Sequence, residues 1–305
     1  MFRHLILALA LATGLAASAR AEERVSIGTG GTGGVFYAIG AGMAELLTER
    51  LDGVTANAEV TGASIENVRR VSMGEMTIGF SSASTLYAGK HGEDPFEAPQ
   101  NVAAIAYLYP AVLQIAATEG SGAKGVADLA GLRVGIGPPG SNSAVLSMRL
   151  LEAMDALDER NLQFLSYNEA TAAIKNGNLD ASMILAGAPA AAFIELFTTA
   201  DVALLPIEPD RLDTLLADYP YYEPIDIPGG LYAGADEPVA ALGDPAILFT
   251  AADADPALVE RITAALFDDL ERLGTVHPAA AKITREGAGA TPIPMHEGAA
   301  RYFAR

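Results

Sequence analysis

The chain has 305 residues, enough for two lobes of about 100–150 residues that each bury a core of their own. Its 19 Lys and Arg stand against 38 Asp and Glu, a formal charge of −19, which argues against docking on nucleic acid or anionic lipid, since both need a basic face. With no Cys, disulfides, thiolate catalysis, zinc–cysteine sites and a lipid-anchored N-terminal Cys are excluded, and 50% hydrophobic against 19% charged residues is a globular balance.

Met1–Ala21 opens with Arg3 and His4, runs apolar from Leu5 to Ala17 and closes with Ala19-Arg20-Ala21. This reads as a Sec-type signal peptide cut after Ala21, which exports the mature chain. A twin-Arg pair is missing, so the expectation is export unfolded and without a cofactor. Loss of Arg3 and Arg20 takes the charge from −19 to −21.

Beyond the leader, one theme recurs: a short apolar strand, a small-residue loop, then a helix. Arg24–Ile27 is a strand running into Gly28-Thr29-Gly30-Gly31-Thr32-Gly33-Gly34, and Val35–Leu51 carries apolar residues at helical spacing. Asn57–Val60 leads into Thr61-Gly62-Ala63-Ser64 and a helix through Ile65, Val68 and Val71; Met76–Phe80 leads into Ser81-Ser82-Ala83-Ser84. Val102–Leu108 and Leu113–Ala117 are strands on either side of Tyr109-Pro110, and the Gly- and Ser-rich stretch Glu119–Gly125 is the expected lobe boundary.

The theme then repeats. Arg133–Ile136 precedes the loop Gly137–Ser143 and a helix over Ala144–Met154. Leu162–Leu165, a helix over Asn168–Lys175 and the strand Ala181–Leu185 lead to Ala186-Gly187-Ala188-Pro189 and a helix through Phe197. Val202–Ile207 is expected to be the last strand of the second lobe, Tyr219–Pro228 an irregular return, Val239–Thr250 strand-rich and Pro256–Leu273 one helix capped by Asp255, with a loop-like tail beyond Gly287. Such alternation predicts an α/β fold with mostly parallel sheet.

Catalytic and metal chemistry finds little support. His91, His277 and His296 are isolated, and Asp253/Asp255 and Asp268/Asp269 read as a helix cap and a solvated face. One enzymatic alternative stands on Gly28-Thr29-Gly30-Gly31-Thr32-Gly33, which satisfies G-x-G-x-x-G between strand and helix, with Glu59 placed as a ribose-binding acid. That would make the chain an exported nucleotide- or phosphoester-dependent enzyme. The same loop physics serves a carboxylate, because unpaired N–H groups and the helix dipole attract any small anion. Four such loop–helix starts occur: Gly30–Val35, Gly62–Ser64, Gly140–Ser143 and Gly187–Pro189.

At these loops the sequence resembles the TAXI family, the solute-binding proteins of tripartite ATP-independent periplasmic (TRAP) transporters. The resemblance rests on Ile27–Tyr37, on Thr61–Asn67 with Ala63 interposed in or replacing a family Gly-Ser element, and on Asp128–Val134 followed by Gly140-Ser141-Asn142-Ser143, where Asn142 stands for a Gly. It continues through Gly177–Asp180, Gly187–Pro189 and Ile227–Tyr232. It implies a two-lobed periplasmic binding protein, with no enzymatic activity, that closes on a small carboxylate such as glutamate, glutamine or 2-oxoglutarate and delivers it, as a monomer, to a TRAP permease. Lobe 1 would comprise 22–116 and 231–305, lobe 2 117–230, hinged near Ala116–Glu119 and between Ile207 and Gly230. Thr32, Gly33, Gly34, Tyr37, Ser64, Asn67, Ser81 and Ser82 would contact the ligand from the first lobe. Ser141, Asn142, Ser143, Gly187 and Ala188 would contact it from the second. Tyr107 and Tyr109 are further candidates for the pocket wall.

Overall fold

The computed structural model describes residues 23–208, 212–219 and 221–305; the signal peptide expected at Met1–Ala21 lies outside the described residues. In chain order the first elements are β1 (Glu23–Gly28), α1 (Val35–Arg50), β2 (Val54–Glu59), α2 (Ser64–Ser72), β3 (Ile78–Ser82) and α3 (Ala83–His91). Two long strands follow, β4 (Val102–Tyr109) and β5 (Val112–Thr118). The second region holds β6 (Val134–Gly135), α4 (Asn142–Ala153), β7 (Leu162–Gln163), α5 (Tyr167–Lys175), β8 (Ala181–Ala186), α6 (Ala191–Thr199), β9 (Val202–Leu204), α7 (Asp213–Asp218), β10 (Glu223–Ile227) and β11 (Val239–Gly243). β12 (Ala246–Ala251), α8 (Pro256–Phe267), α9 (Leu270–Gly274) and α10 (Glu297–Phe303) complete the chain.

These strands form two sheets. The first has the order β2-β1-β3-β12-β4; the second has β10-β11-β5-β8-β6-β7, with β9 beside β5. Among the named strands of the described residues, β1 pairs parallel with β2 and β3, and β6 with β7 and β8, where helices make the crossovers. The remaining pairs are antiparallel, so both sheets are mixed. The cores are built from strands buried on both faces: every residue of β3 and β8 is buried.

Among the described residues the chain crosses between sheets twice. β4 ends the first sheet and β5 begins in the second after Pro110-Ala111; β11 closes the second and β12 enters the first after Asp244-Pro245. The crossings therefore fall at 110–111 and 244–245, not near Ala116–Glu119 or between Ile207 and Gly230. Residues 112–116 and β11 lie with the second sheet. Two features displaced the expectation. Glu119–Ser121 is a surface 3₁₀ turn rather than a lobe junction, and Tyr219–Pro228 contains β10, whose partner β11 is set by a distant pairing.

Local rules account for the other differences. β3 runs through Ser82 directly into α3, where the sequence predicts a loop over Ser81–Ser84. Asp255 caps α8 by accepting from the Ala257 N–H at 2.9 Å, with Pro256 at the first position, as expected. The helix expected to reach Leu273 instead breaks at Asp268-Asp269, where Asp268 accepts from the Tyr302 hydroxyl at 2.6 Å. Tyr302 lies on α10, within the tail expected to be loop-like, and is buried against the end of α8.

Candidate functional site

Three loop–helix starts from both lobes meet at one cavity of about 40 Å³. Gly34, Val35 and Phe36 come from the start of α1, Ala63 and Ser64 from α2, and Ser141, Asn142 and Ser143 from α4. Ser82 contributes from the end of β3, Leu185 and Ala186 from the end of β8, and Tyr167 from α5. All these starts follow the carboxyl ends of strands, the ligand side of an open α/β sheet. Neither Gly34 nor Ala63 supplies a side-chain cap, so the first N–H groups of α1 and α2 lack the usual side-chain acceptor.

The hydroxyls around the cavity are held in place. Ser64 Oγ lies 3.3 Å from Ser82 Oγ and accepts from the Ser82 N–H at 3.1 Å. Ser141 Oγ donates to the Pro138 carbonyl at 2.7 Å and caps α4 by accepting from the Ala144 N–H at 3.3 Å. Ser143 Oγ accepts from the Leu185 N–H at 3.2 Å, and the Tyr167 hydroxyl donates to the Leu185 carbonyl at 2.9 Å. Burial pushes the Tyr167 phenol up to about 12, so it stays a neutral group. Ala63 adopts φ 76° and ψ −140°, a conformation that costs an L-residue of order 1–3 kcal/mol and is found where a site over-determines the backbone.

The two lobes touch around this cavity. The Ile65 N–H donates to the Gly140 carbonyl at 3.1 Å, the Ala192 N–H to the Gly33 carbonyl at 3.2 Å, and Asn168 Nδ2 to Thr32 Oγ1 at 3.1 Å. The molecule is thus in a closed arrangement. A side chain is poorly accommodated in the closed seam: a Cβ on Gly62 would sit 2.7 Å from the Pro139 carbonyl oxygen, and one on Gly33 would displace the Asn168 amide and press on the Ala192 methyl at 3.1 Å.

Of the residues singled out from the sequence, Gly34, Ser64, Ser82, Ser141, Asn142 and Ser143 line the cavity. Thr32 and Gly33 lie on the interlobe seam instead. Tyr37 is half-buried one residue beyond Phe36, which lines the cavity in its stead. Asn67 is buried and works as an internal clamp: Nδ2 donates to the Thr29 and Phe80 carbonyls at 2.7 and 2.9 Å, and Oδ1 accepts from Thr61 Oγ1 at 2.7 Å. Ser81 donates to the Ser82 carbonyl. Gly187 packs against Ala279, Tyr109 and Val35, while Ala188 joins a small apolar cluster. Tyr109 is fully buried, and its hydroxyl has no hydrogen-bond partner.

Sequence reasoning missed Phe36, Tyr167, Leu185 and Ala186. For Tyr167 a signal existed, because Ser166 and Glu169 form a capping box that fixes the start of α5 at the cavity.

Asn142 has a second role. Its Nδ2 donates to Asp244 Oδ2 at 2.6 Å, and Asp244 also accepts from the Ser84 N–H at 3.1 Å and Ser84 Oγ at 2.5 Å. Asp244 is fully buried in the second crossing, so this carboxylate ties both lobes to the crossing point. Desolvation pushes it up to about 6, against the pull of those donors. Behind Asn142 lies a second cavity of about 150 Å³, bordered by Ser84, Arg149, Tyr219 and Tyr221. Arg149 lies over the Tyr219 ring at 4.1 Å and donates to the Tyr222 hydroxyl at 2.7 Å. Glu59, the acid of the dinucleotide alternative, pairs with Arg70 at 3.2 Å.

The sequence profile of the NMT1-like family matches residues 27–304, nearly the whole described chain. The chain belongs to the NMT1-like family. The fold of this NMT1-like protein is similar to solved binding proteins at low sequence identity. The alkanesulfonate-binding protein SsuA of Xanthomonas axonopodis pv. citri, bound to MOPS, is 18% identical with a TM-score of 0.50, covering 94% of this chain and 85% of SsuA. A binding-protein component of an ABC phosphonate transporter of Pseudomonas aeruginosa is 10% identical with a TM-score of 0.54, over 85% and 79% of the two chains. An ancestral arginine-binding protein bound to arginine is 16% identical with a TM-score of 0.52, over 85% and 97%. The two-lobed α/β architecture of periplasmic binding proteins is therefore the architecture of this chain.

Proposed function

We propose that this NMT1-like protein is a periplasmic solute-binding protein, not an enzyme, that closes on a small carboxylate and delivers it to a TRAP permease. The observation that carries the reading is the interlobe cavity, where helix starts from both lobes and a set of serine hydroxyls surround a space with no ionised side chain in its lining. A carboxylate there would meet the positive ends of α1, α2 and α4, the uncapped N–H groups at the start of α1 and one hydroxyl of the Ser64–Ser82 pair, since Ser141, Ser143 and Tyr167 already donate to the Pro138, Met183 and Leu185 carbonyls. Binding would be coupled to closure because both lobes build the wall. The carboxylate and the TRAP partner are supported by the glycine- and serine-rich loops of the resemblance; the solute-binding role is supported by the family and by the structural neighbours. The leader sequence supports export to the periplasm.

The test is a thermal-unfolding screen of the mature chain, Glu22–Arg305, against carboxylates, an alkanesulfonate, a phosphonate and NAD. A ligand at 100 times its dissociation constant adds about 2.7 kcal/mol, a rise of roughly 5–10 °C for a chain this size. A rise with at least one carboxylate is expected. A rise with NAD alone would contradict the reading and favour the dinucleotide alternative.

A further inference from the structure

Resting on that reading, we infer that the interlobe cavity selects a compact monocarboxylate without an amino group, such as a short 2-oxo acid, over the amino acids and dicarboxylates of similar backbone. An ammonium buried without a carboxylate partner costs several kcal/mol, and among the described residues the acidic side chains next to the lining are already engaged. Glu169 accepts from the Ser166 N–H and Oγ at 2.8 and 2.7 Å. Glu66 accepts from the Gly62 N–H at 2.7 Å and pairs with Arg70. Asp244 is enclosed by Ser84 and Asn142, on the far side of the Asn142 amide.

The same accounting limits the negative charge. Arg70 is shared among Glu59, Glu66 and Glu75, and Arg149 is held on the tyrosines of the second cavity. Neither guanidinium lines the cavity, so neutral donors meet the whole charge of the ligand. That suffices for one carboxylate and leaves a second carboxylate, or a phosphonate dianion, undercompensated.

Size and polarity agree. A cavity of about 40 Å³ holds on the order of three water molecules, room for a short ligand rather than an extended one. Val35, Phe36, Leu185, Ala186 and the Tyr167 ring give it an apolar wall suited to a methyl or ethyl group.

The test is calorimetric titration of the mature chain with matched pairs: pyruvate and alanine, 2-oxobutyrate and 2-aminobutyrate, 2-oxoglutarate and glutamate, with ethanesulfonate beside them. The expected result is binding of the short oxo acids at least tenfold tighter than their amino counterparts and than 2-oxoglutarate. Amino acids binding as tightly as their oxo partners, or 2-oxoglutarate or glutamate binding tightest, would overturn the inference and leave the carboxylate reading standing. Binding of ethanesulfonate alone, or of none of these, would overturn both.

Discussion

Asp244 is the residue with the most unusual duty, a fully buried carboxylate at a lobe crossing whose partners come from both sides of the cleft. Its pKa is raised to about 6 from the ordinary 3.8, so the folded state holds a proton that the unfolded state has released between those values. Stability from this group is therefore fully present below about pH 4 and is lost as pH rises through 6, by up to about 3 kcal/mol across the window. Asp244→Asn should flatten that segment of the stability–pH curve, measured by urea unfolding at pH 4.5, 5.5 and 6.5. A variant with the same slope as the parent would remove Asp244 as its source. Nothing local in the sequence points to this pairing. The TAXI resemblance places Asn142 among the ligand contacts, at a position where the family carries Gly; it lines the cavity, and its amide also donates to a carboxylate 102 residues away. Separation of that order carries no periodicity or spacing signal.

At the scale of elements, the proposed ligand capture depends on helix starts that meet across the cleft. Gly62 precedes α2 and faces the Pro139 carbonyl, and its backbone is outside the left-handed region, so Ala is conformationally acceptable there. Gly62→Ala should leave the thermal midpoint of the ligand-free chain within about 2 °C, since the nearest group of its own lobe is the movable Glu66 carboxylate, 3.0 Å from the new methyl. It should also weaken ligand binding at least tenfold, because the new methyl meets a backbone oxygen only on closure; calorimetry and unfolding read the two effects separately. Equal affinity in the variant would show that this seam does not close. These starts were legible because Gly, Ser and Thr before an apolar run of helical spacing have one common physical meaning. The opposite wall, Leu185 and Ala186, reads as an ordinary buried strand end, and its place at the cavity follows from β8 pairing antiparallel with β5.

For the whole molecule, the two sheets are joined through Pro110-Ala111 and Asp244-Pro245, and under the proposed closure these short connections would serve as the hinge. The α/β class and the two-lobed plan followed from alternation and from the resemblance. The crossing points did not, because strand exchange is set by long-range pairing, and the Gly-rich stretch at 119–125 looks more like a linker than Pro110 does. The most direct test of ligand capture by closure is small-angle scattering of the mature chain with and without saturating pyruvate or 2-oxobutyrate. The account predicts a smaller radius of gyration with ligand, and no compaction in Gly62→Ala under the same conditions. Ligand binding proved by calorimetry with an unchanged radius of gyration would contradict it.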